Sequence, residues 1–81
     1  MSRFIWTDRA KADLRQIDRE QALQILLTLT RYGGSGEGDV KRLQGSSDFR
    51  LRAGDYRVRF EVRPDGSLRI LQVKHRREAY R

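Results

Sequence analysis

The sequence predicts an α+β domain in which an N-terminal strand and an α-helical hairpin pack on one face of a mostly antiparallel sheet of four to five strands. Three observations carry this. Apolar residues recur at helical spacing before Gly33. Apolar and charged residues then alternate with a period of two in Phe49–Ala53 and Tyr56–Phe60. Glycine-containing turn signals separate the alternating runs.

Taken in order, Arg3-Phe4-Ile5-Trp6 reads as a short first strand. Thr7 suits the N-cap of a helix from about Asp8 to Ile17, with Ala10, Leu14 and Ile17 on one face. Asp18 caps a second helix, Gln21 completes an approximate capping box, and Ala22, Ile25, Leu26 and Leu29 form the apolar stripe. Gly33-Gly34 is expected to stop this helix, leaving Gly33–Gly38 as a mobile loop. That loop lacks the strand before it and the Gly-Lys-Ser/Thr after it that a P-loop requires. A short strand around Val40–Leu43 and a turn at Gly45-Ser46-Ser47 follow. Gly54-Asp55 forms a two-residue hairpin connection, and Arg63-Pro64-Asp65-Gly66-Ser67 a type I turn with a left-handed residue after it. The last strand runs from Leu68 to about His75.

Eighty-one residues make one small domain spanning 1–81, near the lower end of what folds without staples. The absence of cysteine excludes disulfides and thiolate metal sites, and a single His leaves no zinc set, so neither metal nor cofactor is implied. Apolar stretches such as Ile25-Leu26-Leu27 are far too short to span a membrane, and Met1-Ser2-Arg3-Phe4-Ile5 has no signal-peptide h-region. A cytoplasmic protein is expected.

The net charge of +7 is confined to one half of the chain. Residues 1–40 hold six Lys or Arg against six Asp or Glu, and residues 41–81 hold twelve against five. Such a bias attracts polyanions, nucleic acid first among them, or an acidic protein. Counting back from a two-residue turn pairs Ala53 with Tyr56, Arg52 with Arg57, Leu51 with Val58, Arg50 with Arg59 and Phe49 with Phe60. One face of this hairpin is apolar and the other arginine. Like charges opposite one another cost a few tenths to about 1 kcal/mol per pair, so an anion across the strands explains the pattern better than folding does. A four-residue loop, Pro64–Ser67, would add Gln72, Lys74 and Arg76 to the basic side, with Lys74 near Arg57 and Gln72 near Arg59. The opposite face, Phe49, Leu51, Val58, Phe60, Val62, Leu71 and Val73, would receive the helices. Simple solvation of the sheet suffices for Arg63 and Arg69.

The segments Lys41-Arg42-Leu43-Gln44-Gly45, Phe49-Arg50-Leu51-Arg52-Ala53-Gly54-Asp55-Tyr56-Arg57-Val58 and His75-Arg76-Arg77-Glu78-Ala79-Tyr80-Arg81 resemble the RelE/ParE-type toxins of bacterial type II toxin–antitoxin systems, the RelE-like mRNA interferases in particular. The resemblance extends over essentially the whole chain once the first strand and helix pair are counted. It implies two helices on a mostly antiparallel sheet, entry into the ribosomal A site, cleavage of mRNA there, and a cognate antitoxin as partner. It also implies catalytic roles for Arg50, Arg52, Arg57, Arg76 and Tyr80. Arg stands at 50 and 52 where some members have Lys, and Lys74 where a Gly often precedes the His-Arg pair. The C-terminal helix of some relatives is expected to be missing.

With no metal ligands or paired carboxylates in the basic half, RNA cleavage would use the substrate's own 2′-hydroxyl and leave a 2′,3′-cyclic phosphate. Arg57 and Arg76 suit the transition state, because a guanidinium grips phosphate oxygens bidentately and stays charged. Arg50 and Arg52 keep their protons and are better at positioning than as bases. Tyr80 is open between base and stacking platform. Arg59, Lys74, Arg77, Lys41 and Arg42 are candidate phosphate contacts. His75 points with Val73 toward the core and reads as structural; Tyr56 and Trp6 read as core, Tyr32 as helix-end packing, and Asp55 as turn chemistry. Two other functions are consistent with the pattern: a ParE-like toxin that inhibits DNA gyrase by binding, and a non-toxic RNA-binding module. The second would call for exposed stacking aromatics, and here the aromatics fall on the core side.

Overall fold

A computed structural model describes residues 3–79 and gives the order β1 (Phe4–Trp6), α1 (Asp8–Arg15), α2 (Arg19–Ser35), β2 (Asp39–Arg42), β3 (Asp48–Ala53), β4 (Tyr56–Val62), β5 (Leu68–His75) and α3 (Arg76–Ala79). The sheet has five strands in the order β1-β5-β4-β3-β2. Only the β1–β5 pair is parallel; the other three are antiparallel. The α+β expectation holds.

Both helix starts follow from their caps. Thr7 sits in extended backbone and its Oγ1 accepts from the amide of Ala10, while the Asp18 carboxylate accepts from the amide of Gln21 at 3.4 Å. α1 ends at Arg15, two residues short of Ile17. The end of α2 departs from expectation: the helix runs through Gly33 and Gly34 to Ser35, and Gly36, at φ 80°, supplies the left-handed cap whose amide donates to the Tyr32 carbonyl. Gly33 serves packing. A Cβ there would lie 2.7 Å from Cζ of Phe4, so the missing side chain lets β1 approach α2. The expected six-residue loop shrinks to Gly36–Gly38, and β2 begins at Asp39.

Ala10, Ile25 and Leu29 of the helices meet Leu51, Ala53, Val58, Phe60, Ile70 and Val73 of the sheet, and all are buried. Phe60 lies at the centre, its ring 5.6 Å from Phe49 and 5.5 Å from Tyr32. Two members of the expected core fall outside it. Val62 is 48% exposed, and Leu71 is only half-buried because Ile70 takes the inward position. Val62 keeps the face of Val58 and Phe60 but lies at the exposed end of β4, whereas Leu71 is moved by a pair of compensating shifts. The β4–β5 connection has five residues, not four, since Val62 pairs with Leu68, and a bulge in β5 between Ile70 and Gln72 then restores the expected register. Within the connection, the Asp65 carboxylate accepts from both the hydroxyl and the amide of Ser67, which holds its pKa below the ordinary 3.8.

A short helix, α3, follows β5 where the sequence suggested none. It starts at Arg76, whose amide still reaches across to the Asp55 carbonyl at 2.8 Å, so Arg76 opens a helix at the end of the β4–β5 pairing. No helix among the described residues is long and apolar enough to cross a membrane.

Candidate nucleic-acid interface

The β3–β4 hairpin has the register counted from its turn: Ala53 opposite Tyr56, Arg52 opposite Arg57, Leu51 opposite Val58, Arg50 opposite Arg59 and Phe49 opposite Phe60. Gly54 takes φ 60° while Asp55 stays at negative φ, the pattern of a type II′ turn, whose twist matches that of the strands it joins. β2 then pairs Lys41 with Arg50 and Asp39 with Arg52, and β5 pairs Lys74 with Arg57 and Gln72 with Arg59. Side chains alternate across a sheet, so Lys41, Arg50, Arg52, Arg57, Arg59, Gln72 and Lys74 share the face away from α1 and α2.

These residues line two hollows. Asp39, Lys41, Arg50, Arg52 and Arg57 surround one of about 80 Å³. Arg50, Arg57, Arg59, Gln72 and Lys74, with Glu78 and Ala79 of α3, surround one of about 210 Å³. Arg50 and Arg57 belong to both and stand between them. Arg57 is only 8% exposed, and its Nη1 donates to the carbonyls of Gly54 at 3.0 Å and Tyr56 at 2.9 Å. Those contacts fix the guanidinium against the turn. A charge so far withdrawn from water interacts strongly with an anion. Arg50 donates through Nη2 to the Ala79 carbonyl at 3.4 Å, linking the sheet to α3.

Carboxylates interleave with the arginines, which the sequence reading missed. Nε and Nη2 of Arg59 both lie 2.8 Å from Oδ2 of Asp48, and Arg52 approaches Asp39 at 3.9 Å. Each facing Arg pair therefore contains one member with an acidic partner, and its mutual repulsion is smaller than the sequence alone suggested. Glu61 pairs with Arg69 at 3.0 Å on the same face. The signal was present, because Asp48 continues the period of two of Arg50 and Arg52, and Asp39 that of Lys41.

The remaining candidates lie elsewhere. Arg76 sits at the start of α3, exposed, 4.0 Å from Asp55 at the hairpin end, and lines neither hollow. Arg77 is exposed on α3. Arg42 pairs with Phe49, which puts it on the other side of the sheet from Arg50, where it lines a separate hollow with the Leu43–Ser47 turn. Tyr80 lies outside the described residues. His75 is half-buried, edge-on to Tyr56 at 5.4 Å, and its Nδ1 accepts from the amide of Arg77, a structural placement as its register implied.

A two-helix layer lies on one face of a five-stranded sheet, and cations gather on the opposite face. The chain belongs to the ParE toxin family of the type II toxin–antitoxin system parDE, whose family model matches residues 4–80. It is thus a RelE/ParE-type toxin. Its fold is similar to that in the RelE–RelB complex of Pyrococcus horikoshii OT3, with 24% identity, a TM-score of 0.77 and coverage of 93% of this chain and 94% of that one. It is similar also to the RelB–RelE antitoxin–toxin complex of Methanococcus jannaschii, at 23% identity and TM-score 0.76 over 94% of each chain. The intact E. coli RelBE toxin–antitoxin complex matches at 17% identity and TM-score 0.74 over 93% of this chain and 96% of that one. At these identities the likeness establishes the fold. No curated protein matches the sequence.

Proposed function

We propose that this toxin is a ribosome-dependent endoribonuclease that arrests translation by cutting mRNA in the A site, and that an antitoxin neutralises it by covering the basic face. The observation that carries the reading is the gathering of Lys41, Arg50, Arg52, Arg57, Arg59 and Lys74 on one side of the sheet, with Arg50 and Arg57 common to both hollows. A phosphate seated over those two residues would receive guanidinium donors from adjacent strands. The 2′-oxygen attacks phosphorus and loses its proton, the P–O5′ bond breaks, and the 5′-oxygen is protonated as it leaves. The products are a 2′,3′-cyclic phosphate and a 5′-hydroxyl.

Arg57 supplies charge to the phosphorane, and its anchorage to the turn carbonyls means little reorganisation is needed as that charge develops. Arg50 and Arg52 orient the reacting oxygens. Arg76 would reach the site by swinging from Asp55, a bond at 4.0 Å between exposed groups and therefore weak. Tyr80 is assigned the proton transfer or a stacking role through the family resemblance. The antitoxin assignment draws on the neighbours, which are themselves toxin–antitoxin complexes.

Expression without antitoxin should stop translation, and primer extension on cellular mRNAs should reveal new 5′ ends. Arg57→Ala and Arg76→Ala should each lower cleavage by about 10²-fold or more, with a thermal melt confirming that each variant folds. Toxicity unmoved by either change would defeat the reading. The family match favours one alternative, inhibition of DNA gyrase by binding, for which DNA damage with intact transcripts is the expected sign.

A further inference from the structure

We propose that the larger of the two hollows holds a nucleobase and that Gln72 reads it, selecting a base with an exocyclic amino group, adenine foremost. This rests on the ribonuclease reading and names its specificity-determining residue.

Size divides the two hollows. The smaller is about 80 Å³, a size for one phosphate, and the larger about 210 Å³, a size for a planar ring. Chemistry divides them in the same way. Among the described residues the smaller is lined by charged groups throughout, with one carboxylate, Asp39, directed at Arg52. The larger differs: among the described residues on its wall, Gln72 is the one neutral side chain that can both donate and accept, and the acceptor Glu78 is also there. Arginine and lysine only donate. A glutamine amide can grip adenine in two places, accepting from N6 and donating to N7, and a carboxylate accepts from the same kind of amino group. Guanidinium groups in the hollow can stack on the base.

Gln72 occupies this wall because of the bulge in β5. Without it, Leu71 would lie opposite Arg59 and Gln72 would turn to the core side. α1 secures the bulge at both ends. The Thr7 hydroxyl sits 2.8 Å from the Ile70 carbonyl and 3.2 Å from that of Leu71, while the Asp13 carboxylate accepts from the amide of Val73 at 3.0 Å. Among the described residues no hydrogen bond engages the side-chain carboxamide of Gln72, and both its donor and its acceptor face the hollow's occupant. The face is therefore an alternation of phosphate grip and base reader across the Arg50–Arg57 ridge.

The test maps cut sites made by purified toxin on ribosomes programmed with messages that carry each nucleotide at every codon position. Wild-type protein should favour adenine at one fixed position relative to the cut. Gln72→Leu should reduce the ratio of adenine to other bases there about tenfold, with a thermal melt checking the fold. Gln72→Glu keeps the shape but loses the donor to N7, and should move the preference toward cytosine. Cleavage with no base preference, or with a preference unchanged in both variants, overturns the assignment of Gln72 while leaving the ribonuclease intact. No cleavage by wild-type toxin overturns both.

Discussion

Gly33 and Gly34 look alike in the sequence and have opposite consequences in the fold. Both are helical in α2, but a Cβ at Gly33 would meet Phe4 at 2.7 Å, whereas nothing lies within 4 Å of one at Gly34. Alanine is preferred to glycine in a helix by roughly 0.5–1 kcal/mol, so Gly34→Ala should raise the melting temperature by a few degrees. Gly33→Ala gains the same propensity but forces the Phe4 ring out of its packing against the core, and should lower it. Equal shifts in thermal melts of the two variants would contradict this packing. Sequence reasoning took the pair for a helix stop because glycine marks both caps and close approaches, and only the position of Phe4 tells them apart. The same limit hid the carboxylates: starting β3 at Phe49 left Asp48 outside the alternation that places it beside Arg59.

At the scale of elements, the two-residue turn made β3 and β4 legible, because Gly54-Asp55 fixes every later pair by counting. β5 was legible only in part. Lys74 and Gln72 were placed correctly because a longer loop and a bulge cancel, and Leu71, lying between the two shifts, was misplaced. Nothing local announces that bulge; its cause is tertiary, in the Thr7 cap and Asp13 of α1, some sixty residues away in sequence. Asp13→Ala should then strand the Val73 amide and cost about 1.5–3 kcal/mol, as for hydrogen bonds to charged groups. Hydrogen exchange at Val73 should quicken well beyond that at Val58, on the neighbouring strand. Uniform loss of protection across the sheet would mean that Asp13 supports the fold at large and not the bulge.

For the whole molecule, the charge separation seen along the chain becomes a separation between faces. α1 and α2 cover one side of the sheet, and six cations, Lys41, Arg50, Arg52, Arg57, Arg59 and Lys74, line the hollows on the other. The net charge of +7 thus acts where a strand of phosphates could lie, and Asp39 and Asp48 temper it at two points. Binding to single-stranded RNA should release about 0.7 counterions per phosphate neutralised. With four to six contacts, log K against log salt should fall with a slope of about −3 to −4. Arg42→Ala, on the opposite side of the sheet, should leave that slope nearly unchanged, whereas Lys41→Ala, one residue earlier and on the basic face, should make it shallower by about 0.7. Titrations by fluorescence anisotropy at several salt concentrations measure both. Equal effects from these neighbours would mean that RNA senses the overall charge of the protein, and the arrangement of the sheet would then contribute nothing to where it binds.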